Sequence, residues 1–148
     1  MKYSYRVTKY RNIDGDGNVF SSPNEWTSFF DVGDKVDIDE YHRVEKQYID
    51  FILEACSFFS VNELKLKGVE LNGDVHYSDN QKIKLDLIES VVKSILREEV
   101  WCKLVSDSVE FHFGYDFYMY FLSKNNPEFF IKNLNSPLTV REYTSPYI

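Results

Sequence analysis

The sequence predicts an α+β fold in a single domain over residues 1–148, a mainly antiparallel β-sheet of about five strands with two main helices packed on one face. A chain of 148 residues that is 43% hydrophobic and 28% charged is typical of one globular domain with a substantial core. The predicted elements run strand, helix, strand, helix, paired strands, helix and strand, an order typical of this class. Residues 109–121 add an alternating aromatic segment that predicts a strand with one buried face.

The N-terminal part contains one predicted strand and one long helix. Residues 2–10 alternate in polarity and predict a strand. Residues 12–25 are rich in Gly, Asn, Asp, Ser and Pro and predict a loop, and the residues that follow, as far as Gly33, predict a short strand or turn. Apolar residues at spacings of three and four predict an amphipathic helix over 38–59, with Asp37 as its N-cap.

The remaining part combines short strands with two helices. The predicted ranges are strand 63–71, helix 84–98, strand 99–105, strand 109–121, helix 126–133 and strand 138–143. Residues 72–80 predict a loop, and a tight turn at Ser106 and Asp107 predicts a hairpin. Pro127 is placed where proline is tolerated, at the first position of a helix.

The aromatic segment alternates between apolar and polar residues, which predicts one continuous half-buried strand. The odd positions are expected to face the core; they are Val109, Phe111, Phe113, Tyr115, Phe117, Met119 and Phe121. The even positions carry the charges and are expected to face outward, with His112 as a surface imidazole. Gly114 in the middle predicts a bulge or the close approach of another backbone.

The overall charge excludes some classes of partner. A net charge of −7 disfavours nucleic acid, because a phosphate backbone is contacted by clustered Lys and Arg; it is compatible with plain solubility or with a basic protein partner. The first residues lack the apolar core of a signal peptide and no apolar run is long enough to span a membrane, so we expect a cytosolic chain without membrane contact. Cys56 and Cys102 are expected to be buried free thiols.

No metal, cofactor or catalytic residue is predicted. Four residues match positions of a calcium-binding loop: Asp14, Asp16, Asn18 and Glu25. Val19 occupies the position that requires glycine, so DGDGN predicts an ordinary polar turn. The histidines are not spaced as metal ligands, and no GxSxG motif or Gly-rich phosphate loop occurs. An enzyme with an unrecognised site around His112 and Asp116 remains an alternative.

Residues 31–45 form an acidic segment with six acidic and two basic residues. Asp37 and Asp39 are expected there because carboxylates are favoured at the positive end of a helix dipole. Asp31 and Asp34 precede the helix and have no such local reason. They suggest an acidic surface for a basic partner.

The even face of the aromatic strand is a second candidate binding surface. Its members are Glu110, His112, Asp116, Tyr118 and Tyr120. Tyrosines beside acidic residues are typical of protein-binding surfaces. The alternative is that a helix or loop of the same chain covers this face, and the sequence favours neither.

Six segments spread in order over nearly the whole chain resemble a family of small bacterial immunity proteins. They are YRVTKY (5–10), EWT (25–27), EYHRVEKQYI (40–49), ILREEVWCKL (95–104), FHFGYDFYMY (111–120) and SPY (145–147). Such proteins are antitoxins encoded beside secreted or contact-delivered toxins, as in contact-dependent growth inhibition, and they neutralise their own toxin in the cytosol. The resemblance implies a cognate toxin protein as the partner, and many of these toxins are nucleases.

We therefore expect a binding protein that neutralises a basic nuclease toxin domain. An acidic inhibitor can occupy the site with which a nuclease binds phosphate through Lys and Arg. The alternatives are the enzyme described above and a general protein-interaction module without a toxin.

Overall fold

The computed structural model describes residues 1–148. The strands are β1 (Tyr3–Thr8), β2 (Asn12–Ile13), β3 (Val19–Phe20), β4 (Glu63–Leu71), β5 (Lys82–Lys84), β6 (Val100–Val105), β7 (Val109–Phe113), β8 (Met119–Ser123) and β9 (Thr139–Glu142). The helices are α1 (Ile38–Phe58), α2 (Ile88–Leu96) and α3 (Glu128–Lys132), with short 3-10 helices at Phe29–Asp31 and Leu85–Leu87. Seven strands form one antiparallel sheet in the order β5-β4-β6-β7-β8-β1-β9, and β2 pairs with β3 separately.

The predicted α+β class is confirmed, but the sheet has more strands than expected. The strand β5 and the 3-10 helix after it occupy residues 82–87, so α2 begins at Ile88 and is shorter than the predicted helix 84–98. The strand β5 was not predicted because its three residues are too few to show the alternation of a strand. The segment that ends at Gly33 forms a 3-10 turn and not a strand.

Most of the other elements lie where the sequence predicts them. The helix α1 begins after Asp37, whose carboxylate accepts the Glu40 backbone N–H at 2.8 Å. The strand β4 covers residues 63–71 as predicted, and β6 and β7 form the predicted hairpin. None of the helices combines the length and the apolar character that a membrane span requires.

The predicted loop 12–25 contains the small β2–β3 hairpin. Its turn is built by Asp14, whose carboxylate accepts the backbone N–H groups of Asp16 and Asn18, both at 2.9 Å. An aspartate that bonds the backbone two residues later is typical turn chemistry. The carboxylate of Asp14 therefore organises this turn, as DGDGN predicts.

The aromatic segment is a hairpin and not one continuous strand. The strand β7 ends at Phe113, residues 114–118 form a turn, and β8 begins at Met119. Because Phe113 pairs with Met119, odd residues pair with odd residues and both strands keep their odd face toward the core. Tyr115 was predicted to be buried, but it lies in the turn and is 77% exposed.

All three helices pack on the same face of the sheet, and their apolar side chains join one continuous core. Phe51 of α1 and Phe130 of α3 both contact Phe121 of β8, with ring centroids 5.5 and 5.8 Å apart. Cys56 and Cys102 are buried free thiols, as predicted, and burial raises the pKa of each to about 12. A thiol with so high a pKa is protonated and a poor nucleophile.

A partly buried ion pair joins α1 to the end of α2. Arg97 donates to the two carboxylate oxygens of Glu45 at 2.9 and 3.1 Å, and the Tyr41 hydroxyl donates to the same carboxylate at 2.6 Å. Burial raises the pKa of the Tyr41 hydroxyl, so it remains a donor. Glu45, one of the six acids of the acidic segment, thus belongs to the interior and not to the surface.

Candidate protein-binding cleft

The turn between β7 and β8 contains strained backbone. Asp116 and Phe117 are consecutive and both have left-handed conformations, with φ of 60° and 64°. Such a conformation costs on the order of 1–3 kcal/mol for a residue other than glycine and persists only where the surrounding structure enforces it. The turn itself is closed by a 2.8 Å hydrogen bond from the Gly114 N–H to the Tyr118 carbonyl oxygen.

Two buried tyrosine hydroxyls hold this turn from the core side. Tyr48 of α1 donates to the carbonyl oxygen of Phe117 at 2.7 Å and accepts the Lys9 N–H at 2.8 Å. Tyr10 donates to the carbonyl oxygen of Asp116. Burial raises the pKa of both hydroxyls above the ordinary tyrosine range, so both remain protonated donors.

The ring of Phe117 anchors the same turn by packing. It makes edge-to-face contacts with Trp26, Tyr41 and Tyr48, with centroid distances of 5.1, 5.9 and 5.3 Å. Aromatic pairs in this geometry are worth about 0.5–1.5 kcal/mol beyond the area they bury. These contacts and the two hydroxyl bonds offset the backbone strain and fix the turn in one conformation.

The fixed turn presents two side chains to solvent. Tyr115 and Asp116 are both exposed at its tip, directly above the anchored Phe117. The backbone that carries Tyr115 is fixed, and tyrosine side chains act as anchors in protein interfaces because their few rotatable bonds lose little conformational freedom on binding. Asp116 was predicted as a binding residue, and the structure places it where a partner can reach it.

The same turn forms one wall of a cleft at this end of the sheet. Its other walls come from Thr27 and Ser28, the ends of β4 and α2, and the start of β6. Three carboxylate residues line it, Glu70, Glu98 and Asp116, and no Lys, Arg or His does. The cleft encloses about 70 Å³, which is room for a few water molecules or the end of one side chain.

The acidic segment begins at the wall of this cleft. The Asp31 carboxylate accepts the backbone N–H groups of Thr27 and Ser28 at 2.8 and 3.3 Å. It thereby caps the 3-10 helix at Phe29–Asp31 and holds the two residues that line the cleft. The sequence assigned Asp31 no local structural role, and that prediction was wrong.

The remaining carboxylates of the acidic segment divide into two kinds. Asp37 caps α1 and Glu40 forms an ion pair with Arg43, so both already have partners within that helix. Asp34 and Asp39 are exposed, and their side chains take part in no hydrogen bond or ion pair. These two carboxylates are therefore free to interact with a partner.

The even face of the aromatic segment is not a solvent-exposed surface. His112 is 1% and Tyr120 is 6% exposed, Tyr118 and Glu110 are partly buried, and only Asp116, in the turn, is open. The prediction of an outward face, with His112 as a surface imidazole, was wrong. The alternative, that part of the same chain covers this face, is confirmed: residues 143–148 lie over it.

A polar network fastens these covering residues to the sheet. His112 Nε2 lies 2.9 Å from the Glu110 carboxylate, and its Nδ1 lies 2.7 Å from the Ser145 hydroxyl. The Ser145 backbone N–H donates to the Ser4 hydroxyl at 3.0 Å. The hydrogen bond from His112 holds the pKa of the Glu110 carboxyl below its usual range.

Aromatic contacts complete the cover. The Arg6 guanidinium lies 3.4 Å from the centre of the Tyr143 ring. The Tyr147 ring packs against Trp101 and Tyr120, with centroid distances of 5.6 and 5.9 Å. Tyr120 is therefore used inside the domain, which removes it from the predicted binding residues in this conformation.

Glu110, His112 and Ser145 stand in the order acid, imidazole and hydroxyl, the order that activates a serine nucleophile in hydrolases. Ser145 and His112 are nevertheless both buried. The Ser145 hydroxyl oxygen also accepts the Tyr147 N–H at 3.2 Å. In this geometry the three groups hold residues 143–148 in place.

Residues that could hold a metal or cofactor are not brought together. No group of three or more His, Cys, Asp and Glu side chains is arranged around a common point. The three carboxylates of the cleft are separated along its walls, on β4, after α2 and in the turn. Their arrangement provides a negative potential for a cation on a partner's surface.

Three residues of the cleft were missed by sequence reasoning: Tyr115, Glu70 and Glu98. Tyr115 was assigned to the core because its position has the parity of the buried face. Glu70 and Glu98 come from distant parts of the chain and meet only through the sheet, so no local pattern could pair them. No protein-family model, curated protein or solved structure matches this chain.

Proposed function

We propose that this protein binds and neutralises a cognate toxin, a basic nuclease domain, in the cytosol. The observation that carries the proposal is the fixed turn with exposed Tyr115 and Asp116 beside a cleft that has three carboxylates and no cation. A nuclease contacts phosphate through Lys and Arg, and an acidic inhibitor offers these side chains an alternative set of anions. The resemblance to immunity proteins supports the choice of a toxin as the partner.

Each part of the surface has a distinct role in the proposed complex. Asp34 and Asp39 speed the encounter, because unpaired surface charges act at distances up to a Debye length of about 8 Å at physiological salt. The cleft accepts the end of one basic side chain from the toxin among Glu70, Glu98 and Asp116. The exposed ring of Tyr115 then packs against that side chain, and an aromatic face attracts a cation.

Inhibition in this proposal is by binding and not by catalysis. The burial of His112 and Ser145 supports this view, since a reacting substrate would have to reach them. The cleft itself encloses about 70 Å³, whereas metabolite sites usually occupy about 300–1,000 Å³, so it suits the end of a side chain better than a metabolite. The enzyme and the general interaction module are the competing functions.

The experiment is a calorimetric titration against the toxin domain encoded beside this gene. Y115A and D116N should each weaken the complex by about 30-fold, the effect of losing one anchor residue worth about 2 kcal/mol. F129A is the matched control, because Phe129 is 69% exposed on α3, away from the cleft. Unchanged affinity in both cleft variants, or an equal loss in F129A, would contradict the proposed site.

A further inference from the structure

The sheet face opposite the helices is divided into two parts. Residues 143–148 cover the part formed by β7, β8 and β1, whereas the part formed by β4, β5 and β6 carries lysines. We call this second part the lysine face; its residues are Lys65, Lys67, Lys82, Lys84 and Lys103. Each of the five side chains is partly or fully exposed.

Strand register places these lysines side by side. Lys65 is paired with Lys82, and Lys67 is paired with Lys103. The alternating neighbours Leu64, Leu66 and Leu104 are fully buried on the helix side, so the lysines point away from the core. The result is a compact group of positive charges on a chain whose net charge is −7.

The arrangement is unfavourable for the isolated domain. Like charges directly opposite each other on neighbouring strands are destabilising. No residue of the lysine face forms an ion pair, and only Lys67 has a side-chain hydrogen bond, to Asn80. The folded protein compensates these charges only in part: Glu63 lies opposite Lys84, and Asp107 and Glu110 line the same depression as Lys65, Lys67 and Lys103 without forming an ion pair with them.

Protection of the sheet edge accounts for only part of the group. Lys82 and Lys84 lie on β5, an edge strand, where lysine prevents pairing with other chains. Lys65, Lys67 and Lys103 lie on β4 and β6, which are inside the sheet. Those three lysines have no role in edge protection.

We infer that the lysine face is a docking surface for an extended acidic segment of another protein. Residues two apart on a strand are about 6.6–6.8 Å apart on the same face, and an extended segment with alternating carboxylates has the same spacing. Carboxylates at that spacing can pair with Lys65 and Lys67 along one strand and with Lys103 on the next. Binding adds counter-charges to the three that Glu63, Asp107 and Glu110 provide within the domain.

The overall charge favours a short acidic segment over a long nucleic acid. Removing the five positive charges of the lysine face from the net charge of −7 leaves −12 on the other residues. A polyanion that extends beyond the lysine face meets this negative surface and is repelled. A short segment with a few carboxylates interacts with the lysines alone.

The inference does not depend on the toxin proposal. None of the five lysines lines the acidic cleft, and the two surfaces have opposite charge. A protein that uses both surfaces can hold a basic partner at the cleft and an acidic one at the lysine face. If one of the two surfaces does not bind its expected partner, the proposal for the other surface still stands.

The test uses a ten-residue peptide of alternating Glu and Thr as the probe, with binding followed by fluorescence anisotropy. K65Q/K67Q/K103Q should weaken binding by about tenfold, because three charge pairs are lost. The matched control is K2Q/K124Q/K132Q, which removes three exposed, unpaired lysines elsewhere and should bind like the wild type. The melting temperature of K65Q/K67Q/K103Q should be unchanged or higher, which separates lost binding from lost folding.

Two further probes test which kind of anionic ligand the lysine face prefers. A peptide of the same composition with its glutamates in one block should bind less tightly, and a ten-nucleotide oligo-dT should bind less tightly still. The inference is overturned if the alternating peptide does not bind, if the two triple variants bind it equally, or if the block peptide matches it. Tighter binding of oligo-dT would instead identify a nucleic-acid surface.

Discussion

The hydroxyl of Tyr48, on the long helix, lies 2.7 Å from the carbonyl oxygen of Phe117 in the strained turn between β7 and β8. This bond crosses the core from the helix layer to the end of the sheet. It links the buried face of α1 to the two exposed residues at the tip of the turn. The position of the proposed binding residues thus depends on a group that no partner can touch.

The substitution Y48F should loosen the turn. It leaves the Phe117 carbonyl and the Lys9 N–H without their partner, and an unsatisfied buried polar group costs about 1–3 kcal/mol. Urea unfolding should show that loss of stability, and amide exchange should become faster at residues 114–118. Y3F is the control, since the Tyr3 hydroxyl has no such bond; equal exchange rates in both variants would contradict the role of Tyr48.

Two neighbouring aromatic residues should differ sharply in their effect on stability. F113A should lower the free energy of unfolding by about 3–5 kcal/mol, because Phe113 is buried. Y115A should change it by no more than about 0.5 kcal/mol, because Tyr115 is exposed. Thermal or urea unfolding of the two variants decides between the hairpin and a continuous strand, in which both would be destabilising.

The carboxyl of Glu110 should contribute a pH-dependent part of the stability. Its pKa in the folded protein is lowered, first by the hydrogen bond with His112. Because the pKa of the Glu110 carboxyl is lower in the folded than in the unfolded protein, the ionised carboxylate stabilises the fold fully at pH values above the ordinary pKa of 4.5. This contribution to stability is lost as the pH falls through the pKa of the folded protein. Melting temperatures measured from neutral pH to below 4.5 should therefore fall less steeply in E110Q than in the wild type.

Glu54 provides the control for that pH series, because it is exposed on α1 and forms no ion pair. E54Q should follow the wild-type curve. Identical curves for all three proteins would show that the bond between Glu110 and His112 contributes nothing to stability.

S145A should release residues 143–148 from the sheet. The substitution removes the hydroxyl that bonds His112 and the acceptor of the Tyr147 N–H. Limited proteolysis should then cleave within residues 143–148 faster than in the wild type, while the helices remain protected. S136A is a control with a serine outside the network, and equal cleavage of both variants would argue against the His112 bond as the fastening.

Two acidic variants, the pair D34N/D39N and the single substitution D31N, should separate binding from folding. D34N/D39N should slow association with the toxin and leave stability within about 0.5 kcal/mol, because both side chains are free. D31N should destabilise the 3-10 turn, because Asp31 holds Thr27 and Ser28. Stopped-flow kinetics at low and high salt measure the association rate of D34N/D39N. An unchanged association rate at low salt would show that Asp34 and Asp39 are solvated surface residues with no role in binding.

Local patterns predicted the elements that local interactions determine. The apolar spacing of α1 and its Asp37 cap act within a few residues, so the sequence places that helix correctly. The β7–β8 hairpin was missed because its five-residue turn leaves the parity of the alternation unchanged, and a continuous strand has the same pattern. The left-handed conformations that create the turn depend on Tyr10 and Tyr48, which are far away in the chain.

The candidate site was predictable only in part for the same reason. Asp116 was found from its neighbours, but the role of Asp31 requires the 3-10 turn that it caps. The burial of His112 and Tyr120 depends on residues 143–148, whose sequence has no periodicity to indicate where they lie. Charge and alternation identify which residues can form a surface, whereas tertiary contacts decide which of them stay exposed.

The strand β1 pairs with β8 and with β9 and with no strand near it in sequence. During synthesis the first strand therefore leaves the ribosome long before either of its neighbours exists. Until residues 119–142 have been made, its polar backbone edges and the apolar face of Val7 have no native partner, and contacts of such long sequence separation form slowly. We expect nascent chains that stop before β8 to be bound by chaperones or degraded, so the proposed neutralisation of a toxin requires synthesis of the whole domain.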